Sequence, residues 1–446
     1  MNLRRALLAV FATISTSQLH AAPEAPATKL GLREAVQMAL QQSPVLDSAR
    51  KTETTRELER KNANAKFLPQ LNLSATHGVQ GDDSPRDPYF NYNFSNPTEP
   101  WTSSLSLGLT ENFYDNGVTI TNAEIAKINL EAAKESRKRA RDNLILEVHR
   151  EFYDYSLAVA LLSVREQQLG ILEKQFRTVR NQYTQGFKTR SEFLRFRSDV
   201  LRAELDKLSA EKTIEVSMER LRRLMGVDSR TTKISFDPIS ANRERIKVPT
   251  AAPDVEQTYE VRIARFQERV SEKNIDLANR NYWPRLFLTS NVSYLNSNYV
   301  NSGQPFNETG RIGWDALIKI EYSLLDWGQS RRDVEIARLA RSIESNTSRE
   351  ALLETQTQIA QLMADLDRAS KSYQTDQELL SLEEETFESL ERQYREGKVS
   401  YLDLTEARNS FLDARTRFFT SYFETLRSLA QYRYLEGKIS DGFDAE

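Results

Sequence analysis

Tyr183-Thr184-Gln185-Gly186, leading into Thr189-Arg190-Ser191-Glu192-Phe193-Leu194, returns as Tyr394-Arg395-Glu396-Gly397, leading into Ser400-Tyr401-Leu402-Asp403-Leu404. The two stretches lie 211 residues apart, and two further glycine pairs keep that offset, Gly117 with Gly328 and Gly226 with Gly437. Three glycines in one ungapped register mark an internal duplication. The architecture is therefore one body built from two similar halves.

Outward from the repeated turns, each half has the same plan. Residues 118–182 and 329–393 contain no proline and only one glycine, Gly170, so each predicts a single helix about 100 Å long. In the second, apolar residues keep a seven-residue step through Leu352, Ile359, Leu366, Tyr373, Leu380, Phe387 and Tyr394. The first carries the matching line Val148, Tyr155, Leu162, Leu169, Phe176 and Tyr183. A sustained step of seven predicts left-handed supercoiled packing. Helices resume over 189–225 and 400–436.

Ahead of each long helix the period changes to two. Leu71, Leu73 and Ala75 alternate with polar residues, and so do Leu105, Leu107, Leu109, Glu111 and Phe113 before Asp115-Asn116-Gly117. In the second half Leu286, Leu288, Ser290, Val292 and Tyr294 form one strand. Ile312, Trp314, Ala316, Ile318, Ile320, Tyr322 and Leu324 form the next, before Asp326-Trp327-Gly328. Polar loops over 81–100 and 296–311 join the strands. Short helices over Leu32–Leu40 and Val45–Lys66 precede the first hairpin.

The organisation expected is thus a signal peptide (1–21), a first repeat (22–226, hairpin 68–114, helices 118–226), a connector (227–257), a second repeat (258–437, hairpin 284–325, helices 329–437) and a tail (438–446). The signal peptide rests on Arg4 and Arg5 followed by the nine-residue apolar run Ala6–Ile14, too short to span a bilayer. Its removal takes the formal charge from −3 to −5, because no acidic residue leaves with the two arginines. A negative chain without basic runs gives no electrostatic support to a nucleic-acid partner. With no cysteine, neither disulfides nor a cysteine-linked lipid anchor is expected.

Four strands of about ten residues suit a tilted membrane-spanning barrel, but closed barrels start at about eight strands. An open edge in lipid leaves backbone groups unpaired at several kcal/mol each. Either the hairpins are soluble and pack on helices, or several chains share one barrel. The signal peptide, the absent cysteine and the helix length favour the shared barrel.

At this point the chain resembles the TolC-like outer-membrane efflux proteins. The resemblance rests on Leu32-Arg33-Glu34-Ala35-Val36-x-x-Ala39-Leu40-x-x-Ser43-Pro44, on Phe67-Leu68-Pro69 and Trp283-Pro284 ahead of the strands, and on Tyr394-x-x-Gly397-x-x-Ser400-x-x-Asp403-Leu404 with its copy at Tyr183. It implies a mainly α fold with a β-barrel part. In that fold a homotrimer makes a 12-stranded barrel in the outer membrane, continued by an α-helical barrel across the periplasm. A girdle would come from residues near 22–44, 227–257 and the C-terminus. The implied function is a passive exit duct of a tripartite efflux or type I secretion system. It would work with a periplasmic adaptor (membrane fusion) protein and an inner-membrane pump of the RND, ABC or MFS class. The alternative is a trimeric membrane-anchored coiled-coil stalk or adhesin.

Gly186 and Gly397 read as helix C-caps. Thr189-x-x-Glu192 and Ser400-x-x-Asp403 read as capping boxes. By resemblance, these turns (Gly186, Thr189, Gly397, Ser400) form the adaptor-contact tip. Asp403 and Glu406 would point into the tunnel as acidic rings, and Glu192 and Tyr394 would help hold the entrance shut. Tyr394 also completes the seven-residue seam, so core packing is its rival role. Val399 departs from the family, some of whose members carry a basic gate residue there.

No enzyme, cofactor or metal is expected. The three histidines, His20, His77 and His149, are scattered, and no G-x-x-x-x-G-K-[ST] loop is present to hydrolyse a nucleotide.

Overall fold

The computed structural model describes residues 28–79, 101–228, 234–244, 246–298, 311–441 and 443. The expected signal peptide, residues 80–100 and residues 299–310 lie outside the described residues.

The first half runs β1 (Thr28–Leu30), α1 (Leu32–Gln42), α2 (Pro44–Ala65), β2 (Gln70–Val79), β3 (Trp101–Tyr114), α3 (Val118–Thr184) and α4 (Arg190–Leu224). The short β4 (Ile234–Phe236) follows. The second half has α5 (Tyr259–Arg280), β5 (Arg285–Asn298), β6 (Arg311–Glu321), α6 (Gln329–Arg395) and α7 (Tyr401–Leu435). Both α3 and α6 hold 67 residues, and both α4 and α7 hold 35. β5 extends through residues 296–298, where a loop was expected. β6 stops at Glu321, so Tyr322 and Leu324 lie beyond the strand.

Each long helix starts from an Asp-x-Gly turn. Asp115 accepts from the amides of Gly117 (3.0 Å) and Thr119 (2.7 Å). Asp326 accepts from Gly328 and Ser330, both at 2.9 Å. These carboxylates satisfy amides that a helix start leaves unpaired.

The four long strands form one antiparallel sheet in the order β2-β3-β5-β6. Its register decides what the sheet can do. Leu73 pairs with Leu107, Leu107 with Val292 and Val292 with Trp314. One row lower, Leu71 pairs with Leu109, Leu109 with Ser290 and Ser290 with Ala316. Directly opposed residues share a face, so the apolar positions of both halves fall on one side. That side is bare: Leu73 is 70% exposed and Trp314 77%. Hydroxyl pairs such as Ser74 with Ser106 (2.6 Å) occupy the opposite side. Among the described residues, β2 and β6 each pair on one flank only.

The helices continue this order. α3 packs against α4, α7 against α6, and the two pairs meet where α3 touches α7. Nearer the sheet, α2 lies on α3, and α5 bridges α3 and α6. Ile359, Leu366, Tyr373, Leu380 and Phe387 are buried along α6, as the seven-residue step requires. The first copy differs. Val148 and Tyr155 are buried, but Leu162, Leu169 and Phe176 are only half-buried and Tyr183 is exposed, while Val164, Leu172 and Val179 are buried instead. The reason is that α3 is gripped from two sides, by α4 and by α7, so its buried line is not the one α6 uses. The α3–α7 contact is also more polar. Arg408 donates to Gln175 (3.1 Å), Arg427 to Asp154 (2.5 Å), and Arg415 to Gln167.

Midway along the helices the connector wraps the bundle. β1 pairs in parallel with β4, a contact the sequence did not predict. Tyr155 donates to the Phe236 carbonyl (3.1 Å). The Tyr373 hydroxyl lies 2.8 Å from the Asn242 carbonyl and 3.0 Å from that of Glu244. Asp142, fully buried on α3, accepts from the Tyr259 hydroxyl of α5 at 2.7 Å. The tyrosine bonds to Phe236, Asn242 and Glu244 fix the connector's backbone to the long helices without leaving those carbonyls unpaired.

Candidate functional site

The two repeated turns stand at the far end of the long helices, about 100 Å from the sheet. They are built alike. Gly186 and Gly397 take φ of +81° and +75°, a region that only glycine enters freely. Phe187 N–H donates to the Gln182 carbonyl at 2.8 Å and Lys398 N–H to that of Gln393 at 2.9 Å, closing each helix. A Cβ on either glycine would meet nothing within 4 Å, so backbone freedom alone requires glycine there.

Both capping boxes form. Thr189 Oγ1 accepts from the Glu192 amide (3.2 Å), while the Glu192 carboxylate accepts from the Thr189 amide (3.1 Å). Ser400 Oγ accepts from the Asp403 amide (3.2 Å), and Asp403 returns the bond at 3.0 Å. These donors hold both carboxyls below their ordinary range. For Glu192 the Thr189 amide leads, followed by Lys188; for Asp403 the Ser400 hydroxyl leads. Both are carboxylates at neutral pH.

The expected gate residues divide into two groups. Tyr394 is half-buried, and burial raises its hydroxyl pKa. It lies within electrostatic reach of Lys188 and Glu192, which are joined by an ion pair of 3.0 Å. Asp403 and Glu406 share no hydrogen bond or ion pair with that group among the described residues; both are exposed, three residues apart on α7 and so about 4.5 Å apart along its axis. Asp403 is occupied by its cap. Glu406 makes no hydrogen bond or ion pair among the described residues.

Lys188 went unnoticed in the sequence, although the duplication points to it. It occupies, in the first turn, the place that Val399 holds in the second. Also missed was the joint just behind the tip. The Tyr401 ring lies 4.4 Å from that of Phe196, and its hydroxyl donates to Asp199 at 3.3 Å, tying α7 to α4.

Among the described residues no helix is long and apolar enough to cross a membrane, and no cluster of metal-ligating side chains occurs. What the geometry offers is a bare apolar sheet, a long helical body and an acid-bearing tip.

Comparison with known proteins bears on the family and the fold. The family model described as outer membrane efflux protein matches residues 35–227 and 256–431. Nodulation protein T of Rhizobium leguminosarum bv. trifolii is 24% identical over 358 residues, covering 78% of this chain and 73% of that protein. The cation efflux system protein CusC of Escherichia coli O6:H1 is 20% identical over 343 residues, covering 76% and 73%. In fold, the chain is similar to the crystal structure of the Campylobacter jejuni CmeC outer membrane channel. That match has a TM-score of 0.75 at 16% identity, over 92% of this chain and 86% of the other.

Proposed function

Because the chain belongs to the outer membrane efflux protein family, we propose that three copies close into a single duct that carries substrates out across the periplasm and the outer membrane. One observation carries this reading. The sheet has one mainly apolar face, interrupted by Glu111 and Ser290, and among the described residues its two edges are unpaired; the same chain continues it with helices of 67 residues. Three four-stranded sheets joined β6 to β2 would make twelve strands with no open edge, as lipid requires. The helices would close by the same contact, with the free flank of α6 meeting α2 and α4 of the next copy. An apolar stripe on α4 suits that role: Leu194, Leu201, Leu205 and Leu208 are exposed at heptad-like spacing.

Within the duct, substrate moves passively. Asp403 and Glu406 would ring the periplasmic entrance, with Glu192 and Tyr394 beside them. The turns at Gly186, Thr189, Gly397 and Ser400 would meet a periplasmic adaptor, which links the duct to an energised inner-membrane pump. The stalk reading has less support, because its anchor strands would be expected in one block. Here β3 of one repeat pairs with β5 of the other.

The test is purification of the mature chain in detergent, mass measurement and recording in planar bilayers. A trimer with discrete openings is expected. A chain that stays monomeric and soluble without detergent would remove the proposal.

A further inference from the structure

The two repeats differ at the junction of strand and long helix. Both junctions have the same backbone: Asn116 and Trp327 take φ of +54° and +53°, and the glycine after each takes +79°. Asparagine tolerates this left-handed region, whereas a bulky ring there is a true outlier. Trp327 gains little from its own chain in return, being 82% exposed.

The arginines differ too. The Asn116 carbonyl accepts from Arg280 of α5 at 2.9 Å, and the Trp327 carbonyl accepts from Arg332 of α6 itself at 3.0 Å. Where α3 opens Val118-Thr119-Ile120-Thr121, α6 opens Gln329-Ser330-Arg331-Arg332. Arg331 has no hydrogen bond or ion pair among the described residues. It lines an open groove between the end of α5 and the start of α6, with Tyr282, Trp283, Arg332 and Arg338. Glu335, the carboxylate of that groove, is 3.6 Å from Arg338. Asp326, beside it, is committed to the helix cap. The groove is therefore left with an excess of positive charge.

Depth adds a second argument, which rests on the outer-membrane reading above. The apolar sheet face ends at Ile320, and three more exposed apolar residues, Tyr322, Leu324 and Leu325, follow beyond the end of β6. Tryptophans collect where hydrocarbon gives way to headgroups; Trp283 (61% exposed) lies two residues before Arg285, which pairs with Glu321 at the end of β6, and Trp327 lies six residues after Glu321. A headgroup layer is about 5–8 Å thick. Arg331 and Arg332 lie four and five residues beyond Trp327, about 6–8 Å at helical rise, within phosphate depth. Their long stems let the charge adjust its height.

We propose that Trp327, Trp283, Arg331 and Arg332 bind the phosphate headgroup of an anionic phospholipid in the periplasm-facing leaflet, once per chain and only in the second repeat. The test compares wild type, R331Q/R332Q and W327N, each reconstituted into phosphatidylethanolamine vesicles with and without phosphatidylglycerol. Phosphatidylglycerol retained per trimer is then counted by native mass spectrometry. Neutralising both arginines should weaken retention about 30-fold, equivalent to about 1 kcal/mol for each cation near an anionic surface. W327N, which installs the first repeat's residue, should melt higher yet retain less lipid. Equal retention by wild type and R331Q/R332Q would overturn the proposal. So would displacement of the lipid by inorganic phosphate, which would make this a free-anion site. Variant trimers that dissociate while retaining lipid normally would assign the surface to the next copy instead. Wild type that enters neither vesicle would refute the membrane reading beneath it; entry without preference would refute only the lipid site.

Discussion

Neutralising Glu406 alone should lower the cation preference of the open duct about tenfold without touching stability. Glu406 is exposed and makes no hydrogen bond or ion pair among the described residues, so Glu406→Gln removes a charge and little else. In a ring of three, a monovalent cation about 5 Å from each carboxylate gains about 0.8 kcal/mol per carboxylate in water. Screening over ~8 Å at physiological ionic strength reduces this to about 0.45 kcal/mol. Three such terms give about 1.3 kcal/mol, close to a factor of ten. Asp403 must be treated differently, because its carboxylate closes the capping box with Ser400. Asp403→Asn keeps an acceptor for the Ser400 amide and drops the charge, whereas Asp403→Ala also loses the cap at about 1 kcal/mol per chain. The assay is reversal potential under a salt gradient in planar bilayers, paired with the melting temperature of each variant. Glu406→Gln and Asp403→Asn should both lose selectivity, and only Asp403→Ala should melt early. The reasoning would be refuted if Glu406→Gln and Asp403→Asn kept full selectivity while Asp403→Ala altered conductance in step with its loss of stability.

Two further expectations concern the body of the molecule. Gly226 and Gly437 are repeat partners with φ of +70° and +74°, but a Cβ on Gly226 would stand 2.6 Å from the Gln42 carbonyl oxygen, and one on Gly437 would meet nothing within 4 Å. Gly437→Ala should cost about 1–2 kcal/mol from backbone strain, and Gly226→Ala a further 1–3 kcal/mol from overlap; equal melting shifts would contradict this. His149 is buried against Tyr153 and Phe443, and it donates to the Ile145 carbonyl at 2.8 Å. Burial, aided by Arg433, lowers its pKa below 6.5, so the unfolded chain binds its proton more readily. Its contribution is whole above that value and fades as pH falls through it. Between about pH 7 and about pH 5, wild type should therefore lose more stability than His149→Gln, which differential melting can check.

Legibility in the sequence followed how far each signal extends along the chain. Period-two strands and the proline-free helices were readable because each repeats one rule many times, and the helix starts at Val118 and Gln329 came out where expected. The β1–β4 pair was invisible because three-residue strands carry no period and their partners lie 206 residues apart, as Thr28 and Ile234 show. Leu162, Leu169 and Phe176 misled for another reason. Periodicity gives the spacing of a buried line, but the neighbours of a helix choose which line is buried, and α3 lies against two long neighbours, α4 and α7. At the tip, both caps were legible as local four-residue patterns. The ties from Tyr401 to Phe196 and Asp199 were not, because they join segments two hundred residues apart.

The near-identity of the two end turns has a consequence for counting. Their backbones match, yet Lys188 stands where Val399 does and Arg195 where Glu406 does. Closed by three chains, the rim would show sixfold symmetry to anything that feels only main-chain shape, and threefold symmetry to anything that senses charge. A docking partner's stoichiometry would then disclose which of the two it reads: six copies per duct for shape, three for charge.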